Sequence, residues 1–281
     1  MKSQTEKAQL LKTYHENKET FVIPNPWDIG SARLLALAGF KALATSSAGY
    51  AFTRGLPDNS IGREQMMVHL AEIASATDLP VSADLENGFG DAPEEAAETI
   101  RQAAATGVVG GSIEDATGRA DDSLYAIDFA AERVRAAVEA ARALPFPFTL
   151  TARAENYLVG RADLADTIRR LQAYQEAGAD VLYAPGLKTR DEIAEVMRSV
   201  DRPVNVLMGL QGALLSVDDL AALGVRRISV GGSLARAALG ALLRAAGEIQ
   251  EHGTFTYSSD AANNKDINAL FAAASRTWGG Q

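Results

Sequence analysis

Eight times along the chain a short apolar run breaks at a polar or glycine-rich loop and gives way to a longer amphipathic segment. The apolar runs are Phe21–Pro24, Ala42–Ser46, Val81–Asp84, Val108–Glu114, Phe148–Arg153, Val181–Ala184, Val204–Met208 and Arg227–Val230. They are short, apolar and bounded by breakers, which reads as buried strands. Helices are expected at 5–18, from Asp28 or Ser31 to Gly39, at 62–77, from Pro93, and at 124–143, 163–177, 189–199, 216–223 and 232–250. Strands that alternate with helices pair in parallel. Eight such units in succession predict a closed (β/α)8 barrel, the TIM-barrel architecture, and its usual size of about 250 residues fits the chain. The rival, an open doubly wound sheet, usually carries fewer strands. Residues 1–251 are expected to form one barrel with a leading helix. Residues 252–281 form an extension, briefly amphipathic at Ile267–Ala273, that packs on some other surface. Between the second strand and the next helix, residues 46–60 are expected to be a long loop without structure of its own, which is a mark of function.

Barrel chemistry sits at the C-terminal ends of the strands, so the residues there carry the functional argument. The third strand ends in Asp84-Leu85-Glu86-Asn87-Gly88-Phe89-Gly90. Residues two apart in extended chain point to one side, so Asp84 and Glu86 are expected to face one space. Two carboxylates sharing a site repel unless a cation or a shared proton relieves them. Glu114 and Asp115 follow strand four, and Asp58 sits in the long loop. Mg²⁺ takes oxygen ligands and often uses one or two protein carboxylates, which makes Asp84, Glu86 and Glu114 a candidate metal set. Arg153 ends strand five, and its planar fork matches a carboxylate or phosphate. Ser46, Ser47 and the amide of Ala48 offer oxyanion contacts, with Asn205 on strand seven and Tyr50 in the loop as further polar groups. Gly231-Gly232-Ser233 after strand eight, with Gly209 and Gly212 after strand seven, occupies the place where many barrels hold a phosphate.

Composition removes several classes. The formal charge of −9 comes with no basic patch, which argues against nucleic acid. With no cysteine there is no disulfide, thiolate metal site or cysteine nucleophile. His15, His69 and His252 fall away from the strand ends, so neither a zinc site nor histidine acid–base chemistry is expected. The first residues are charged throughout and no apolar run is long enough to cross a bilayer; a cytoplasmic location is expected.

Five motifs together resemble the isocitrate lyase/phosphoenolpyruvate mutase superfamily: Ser46-Ser47-Ala48, Gly55-Leu56-Pro57-Asp58, the run Ser82 to Gly90, Ser112-Ile113-Glu114-Asp115, and Thr151-Ala152-Arg153-Ala154-Glu155-Asn156. The resemblance spans about Thr20 to Ile249. It implies that Ser46, Ser47 and Ala48 bind the substrate carboxylate and that Asp58 is the loop acid near the metal. It implies that Asp84 ligates Mg²⁺ directly, Glu86 and Glu114 hold it through water, and Arg153 clamps the α-keto acid end. The lyases of isocitrate and methylisocitrate carry Lys-Lys-Cys-Gly-His after strand four, where this chain reads Ala116-Thr117-Gly118-Arg119-Ala120-Asp121-Asp122-Ser123-Leu124. The lysine and asparagine of the phosphonate-forming mutases are missing there too. The similarity is therefore to a branch that holds phosphorylmutase-like proteins, oxaloacetate decarboxylases and small carbon–carbon lyases. It implies a Mg²⁺-dependent lyase or decarboxylase of a small keto or 2-hydroxy acid, working through a pyruvate-enolate-like intermediate. Arg153, Asp58 and Tyr50 are the catalytic candidates, and residues 115–124 a gating loop. The alternatives are a phosphonopyruvate-type mutase or hydrolase and a non-catalytic binding homologue. Family members form tetramers that exchange the eighth helix, and the segment 232–250 has the small apolar composition for it.

Overall fold

The computed structural model describes residues 2–212 and 214–278. Eight strands lie in one sheet: β1 Phe21–Ile23, β2 Leu43–Ala44, β3 Val81–Asp84, β4 Gly110–Glu114, β5 Thr149–Arg153, β6 Val181–Tyr183, β7 Val204–Leu207 and β8 Arg227–Ser229. Every pair is parallel, and the order β1-β8-β7-β6-β5-β4-β3-β2 runs almost full circle. Between β1 and β2 the ladder thins to one bond, Ala44 N–H to the Pro24 carbonyl at 3.0 Å. Asn25 reinforces that seam. Its side-chain amide donates to the Thr45 carbonyl at 2.8 Å, and its Oδ1 accepts from Val230 and Gly231 N–H at 3.0 and 2.9 Å. One side chain thus ties the ends of β1, β2 and β8. The sequence is a (β/α)8 barrel, as the alternation predicts.

The helices are α1 Gln4–Glu16, α2 Ile29–Leu37, α3 Ser47–Thr53, α4 Arg63–Ala76, α5 Pro93–Ala105, α6 Ile127–Arg142, α7 Leu164–Glu176, α8 Arg190–Ser199, α9 Val217–Ala222, α10 Ser233–His252 and α11 Asn264–Trp278. Most starts are encoded locally. Asp28 caps α2 and Ser31 returns the bond, so both candidate starting residues act in one capping box. Pro93 opens α5, where its missing N–H costs nothing. Residues 46–60 differ from expectation. Ser46 caps a two-turn helix, α3, by accepting from Gly49 N–H at 3.1 Å, so the segment is not structureless. The cap signal is plain in hindsight, but the helix is too short to show a periodicity.

Helix α1 closes the N-terminal end of the barrel. Leu11 and Ala8 pack with Phe21 and Ile23 of β1 and with Ala42 and Val109, which directly precede β2 and β4. A Cβ on Gly110 would stand 3.0 Å from the Leu11 side chain and 2.9 Å from the Thr149 carbonyl, so only glycine admits the plug. At the other end of the chain α11 lies on α2, with Phe271 beside Gly30. That helix is longer than the amphipathic stretch Ile267–Ala273 suggested. Helix α10 stands away from its own barrel. Of its residues only Ala235 is buried, and Leu242 and Leu243 are 62% and 71% exposed.

Two buried histidines record the packing. His15 donates from Nδ1 to the Leu11 carbonyl at 2.8 Å, and burial with the charge of Arg227 lowers its pKa to about 3. His69 stacks on Tyr50, and burial lowers its pKa to about 4. Both are ordinary histidines near pH 6.5 when unfolded. Their contribution is complete above pH 6.5 and is lost as pH falls toward 3, because the unfolded chain takes up protons the folded chain refuses. Denaturant titrations of wild type and His15→Phe should differ by a constant above pH 7. Below pH 6.5 the difference should drift in favour of the variant by up to about 1.4 kcal/mol per pH unit; a flat difference down to pH 4 would refute the assignment.

Candidate active site

The last residue of β5 stands at the centre of the C-terminal mouth. Arg153 Nη1 lies 2.7 Å from Asp84 Oδ1 and 3.1 Å from Glu114 Oε2, and its Nε donates to Glu155 Oε1 at 2.9 Å. The guanidinium also lies 5.1 Å from the Tyr183 ring centre, within cation–π range. Strand register explains the meeting, because Glu114, Arg153 and Tyr183 are aligned on β4, β5 and β6. Burial opposes the arginine charge, but Glu114, Glu155 and Asp84 outweigh it and raise its pKa further.

The acids outnumber that cation. Asp84, Glu86, Glu114 and Glu155 surround one paired arginine, and Glu86, Glu114 and Glu155 have raised pKa values. Glu86 is pushed up to about 8 by burial and by the charges of Asp84 and Asp58. Glu155 is pushed up to about 7 by burial, although Arg153 draws it down. Glu114 is raised by burial and by its acidic neighbours, against the pull of Arg153. Asp58 is exposed at the rim yet faces the mouth, and desolvation with the Asp84 charge raises it.

Asp84 and Glu86 do not share one face as extended-chain alternation predicts. The strand stops at Asp84, and Glu86 takes φ 50°, a left-handed conformation that a side chain adopts at a cost of about 1–3 kcal/mol. Asp84 therefore lines a cavity of about 310 Å³ with Ser46, Ser47, Asp58, Arg153 and Tyr183. Glu86 and Glu114 line a neighbouring cavity of about 790 Å³ with Asn87, Asp91 and Thr117. The buried Oε1 of Glu86 has no hydrogen-bond partner.

That orphan oxygen is a buried acceptor left without a protein donor. Among the described residues no three acidic or histidine side chains converge to hold an ion directly. A Mg²⁺ site needs no such cage, since the ion keeps several waters and uses one or two carboxylates. Surplus buried negative charge, an unpartnered Glu86 oxygen and all-oxygen donors together match a hard, hydrated divalent cation.

The serine loop is present but partly committed. Ser47 donates to Asp84 Oδ2 from both its amide (3.0 Å) and its hydroxyl (2.9 Å), so it orients the aspartate. Ser46 caps α3, and the Ala48 amide lacks a protein acceptor among the described residues. Asn205 lines the mouth but is occupied by Arg227 and Ser229. Tyr50 is not brought to the mouth. Its ring stacks on His69 at 4.0 Å in a separate cleft with Trp27 and Arg54. The phosphate place after β8 is also weakened, because Val230 and Gly231 amides already donate to Asn25. The loop 115–124 is a small antiparallel turn bridged at Ala116 and Leu124, and Arg119 pairs with Asp91 on its outer side at 2.9 Å.

Several residues support the site in roles that the strand ends did not reveal. Asp115 accepts from the Glu155 amide (2.7 Å), Arg170 (2.9 Å) and Tyr174 (2.5 Å), which fixes the chain just after Arg153. Arg133 of α6, 1% exposed, donates to the carbonyls of Asn87, Gly90 (2.6 Å) and Asp91 (2.8 Å) and so pins the strained turn. An arginine on the apolar stripe of an amphipathic helix was the available signal.

A family model described as phosphoenolpyruvate phosphomutase matches residues 11–250. The chain belongs to that family. Within it, this chain is 30% identical to a 2-methylisocitrate lyase of Bacillus subtilis over 261 residues, 90% of this chain and 84% of the relative. A Burkholderia cenocepacia structure, provisionally described as a lyase/mutase, is 65% identical with TM-score 0.93 over 96% of both chains. A phosphonopyruvate hydrolase solved with oxalate and Mg²⁺ is 26% identical with TM-score 0.83 over 95% of both. The family is thus the isocitrate lyase/phosphoenolpyruvate mutase superfamily that the motifs suggested.

Replacing Arg133 by leucine leaves the turn carbonyls without their buried donors. Each loss costs about 1–3 kcal/mol, so Arg133→Leu should lower the unfolding free energy by at least about 3 kcal/mol. Equilibrium denaturation checks this, and an unchanged midpoint would show that the turn holds itself.

Proposed function

We propose that the protein is a Mg²⁺-dependent lyase or decarboxylase of a small α-keto or 2-hydroxy acid. The observation that carries the reading is the surplus of buried carboxylates around Arg153, with one Glu86 oxygen unpartnered. Asp84 would hold the ion directly and Glu86 and Glu114 through water, with Asp58 at the rim. When bound, the ion supplies a Lewis acid for the substrate's carbonyl and carboxylate oxygens.

The chain's own residues do the rest. Arg153 binds the keto-acid end and steadies negative charge as the bond beta to the carbonyl breaks and an enolate forms; such prepared charge is strongest where water is excluded. Ser47 holds Asp84 in its orientation, while the Ser46 hydroxyl and the Ala48 amide take a substrate carboxylate oxygen. Tyr183 lines the cavity, and burial pushes its pKa up to about 12; it stays protonated and can return a proton to the enolate. Tyr50 has no part in this scheme, because it does not line the cavity. The relatives named for lyase chemistry and the oxalate and Mg²⁺ complex of a relative support the reading.

Thermal shifts with oxalate, an enolate mimic, should require Mg²⁺. Asp84→Ala should lose that shift and cut turnover of oxaloacetate or substituted malates by at least about a thousandfold. Turnover that survives chelation of Mg²⁺ overturns the mechanism, and phosphate released from phosphonopyruvate would place the chemistry on phosphorus. A Mg²⁺-dependent oxalate shift with no turnover of any acid would mark a binding protein.

For assembly, we propose a homotetramer in which α10 lies on a neighbouring copy. Its exposed Leu239, Leu242, Leu243 and Ile249 support this. Light scattering should give a mass of four 29.7 kDa chains, and Leu242→Glu with Leu243→Glu should reduce it; a monomeric wild type would refute the arrangement.

A further inference from the structure

The barrel interior below the mouth carries a second buried cation that the scheme above leaves unused. Arg227 opens β8 with its side chain in the barrel, 4% exposed, and lines the same cavity as Asp84 and Arg153. Its Nε donates to Asn205 Oδ1 at 2.9 Å, and Asn205 is braced in turn by a 2.9 Å bond to Ser229 Oγ. No carboxylate lies in ion-pair range of Arg227 among the described residues, and its buried Nη1 has no hydrogen-bond partner. Arg153, by contrast, is engaged by three carboxylates.

An unpaired guanidinium in a barrel interior is costly, because desolvating a charge without a counter-ion takes several kcal/mol on the scale of buried ions. Packing alone does not ask for it, since an apolar side chain of similar volume would fill the space. The cost is relieved when an anion occupies the cavity. The arginine fork takes a carboxylate through two parallel bonds, and Asn205 fixes its direction by holding Nε. Arg236, at the rim of the same cavity, adds positive charge on that side. The cavity therefore has an acidic wall on β3 and a cationic wall on β8 and α10.

We infer that Arg227 binds a second carboxylate of the substrate, so the cavity selects dicarboxylic acids over monocarboxylic ones. The inference rests on the small-acid reading of this cavity and adds the residue that reads the second carboxylate. Asn205 then acts as a positioning residue for Arg227.

Lactate and malate differ by one carboxylate and serve as probes. Calorimetry with Mg²⁺ present should show malate binding at least tenfold tighter than lactate to the wild type. In Arg227→Met malate should weaken at least tenfold and lactate less than twofold, with a melting midpoint unchanged or raised because an unpaired charge is gone. Arg227→Lys keeps charge without the fork and should fall between them; it decides the matter if the methionine variant does not fold. Equal affinities in the wild type, undiminished malate binding in the variants, or equal loss of both acids overturns the inference. The two readings fail separately. An Arg227-dependent malate preference without turnover of any acid refutes the lyase, whereas Mg²⁺-dependent turnover with no Arg227 effect refutes the dicarboxylate subsite.

Discussion

The guanidinium of Arg153 holds together carboxylates that the barrel would otherwise drive apart. Asp84, Glu114 and Glu155 come from three separate places in the chain and meet on its edge. In water such contacts are worth about 1 kcal/mol; in a buried mouth both the attraction and the desolvation cost grow. The arrangement persists because the surroundings fix it. Asp115 grips the Glu155 amide, Arg170 and Tyr174 grip Asp115, and Tyr183 lies against the arginine. The strained turn at Glu86 is clamped from the outside by Arg133. The centre is thus charged and under strain, and rigid neutralised networks carry it.

That balance also explains the chemistry. Four acids facing one paired arginine leave negative charge that protons or a cation must meet. Raised pKa values at Glu86, Glu114 and Glu155 are the protonic answer. A hydrated divalent ion is the other, and under the proposed function it would let the same carboxylates help bind keto and carboxylate oxygens. The opposite wall, with Arg227 held by Asn205, gives the cavity two electrostatic ends, which under the proposed function would orient an asymmetric acid.

Much of this was legible in the chain. The eightfold alternation fixed the barrel because parallel strands need helical crossovers, and every strand fell within a residue or two of its apolar run. Asp84, Glu114 and Arg153 were legible because barrel strands end at the site. Tyr50 was misplaced because a loop position says nothing of direction; α3 turns that ring toward His69. Glu86 was read on the wrong side because alternation holds only while the chain stays extended, and its φ of 50° ends it.

What the sequence by itself determined is therefore periodic or local: strand and helix order, the capping boxes at Ser3, Asp28, Thr189 and Ser216, and the acids that terminate strands. What the tertiary structure alone decided is pairing. Whether an arginine is engaged, as Arg153 is, or unpaired, as Arg227 is, depends on groups tens of residues away, brought within 3 Å by strand register. Periodicity reports which face a side chain is on; only three-dimensional proximity reports which charge stands opposite it.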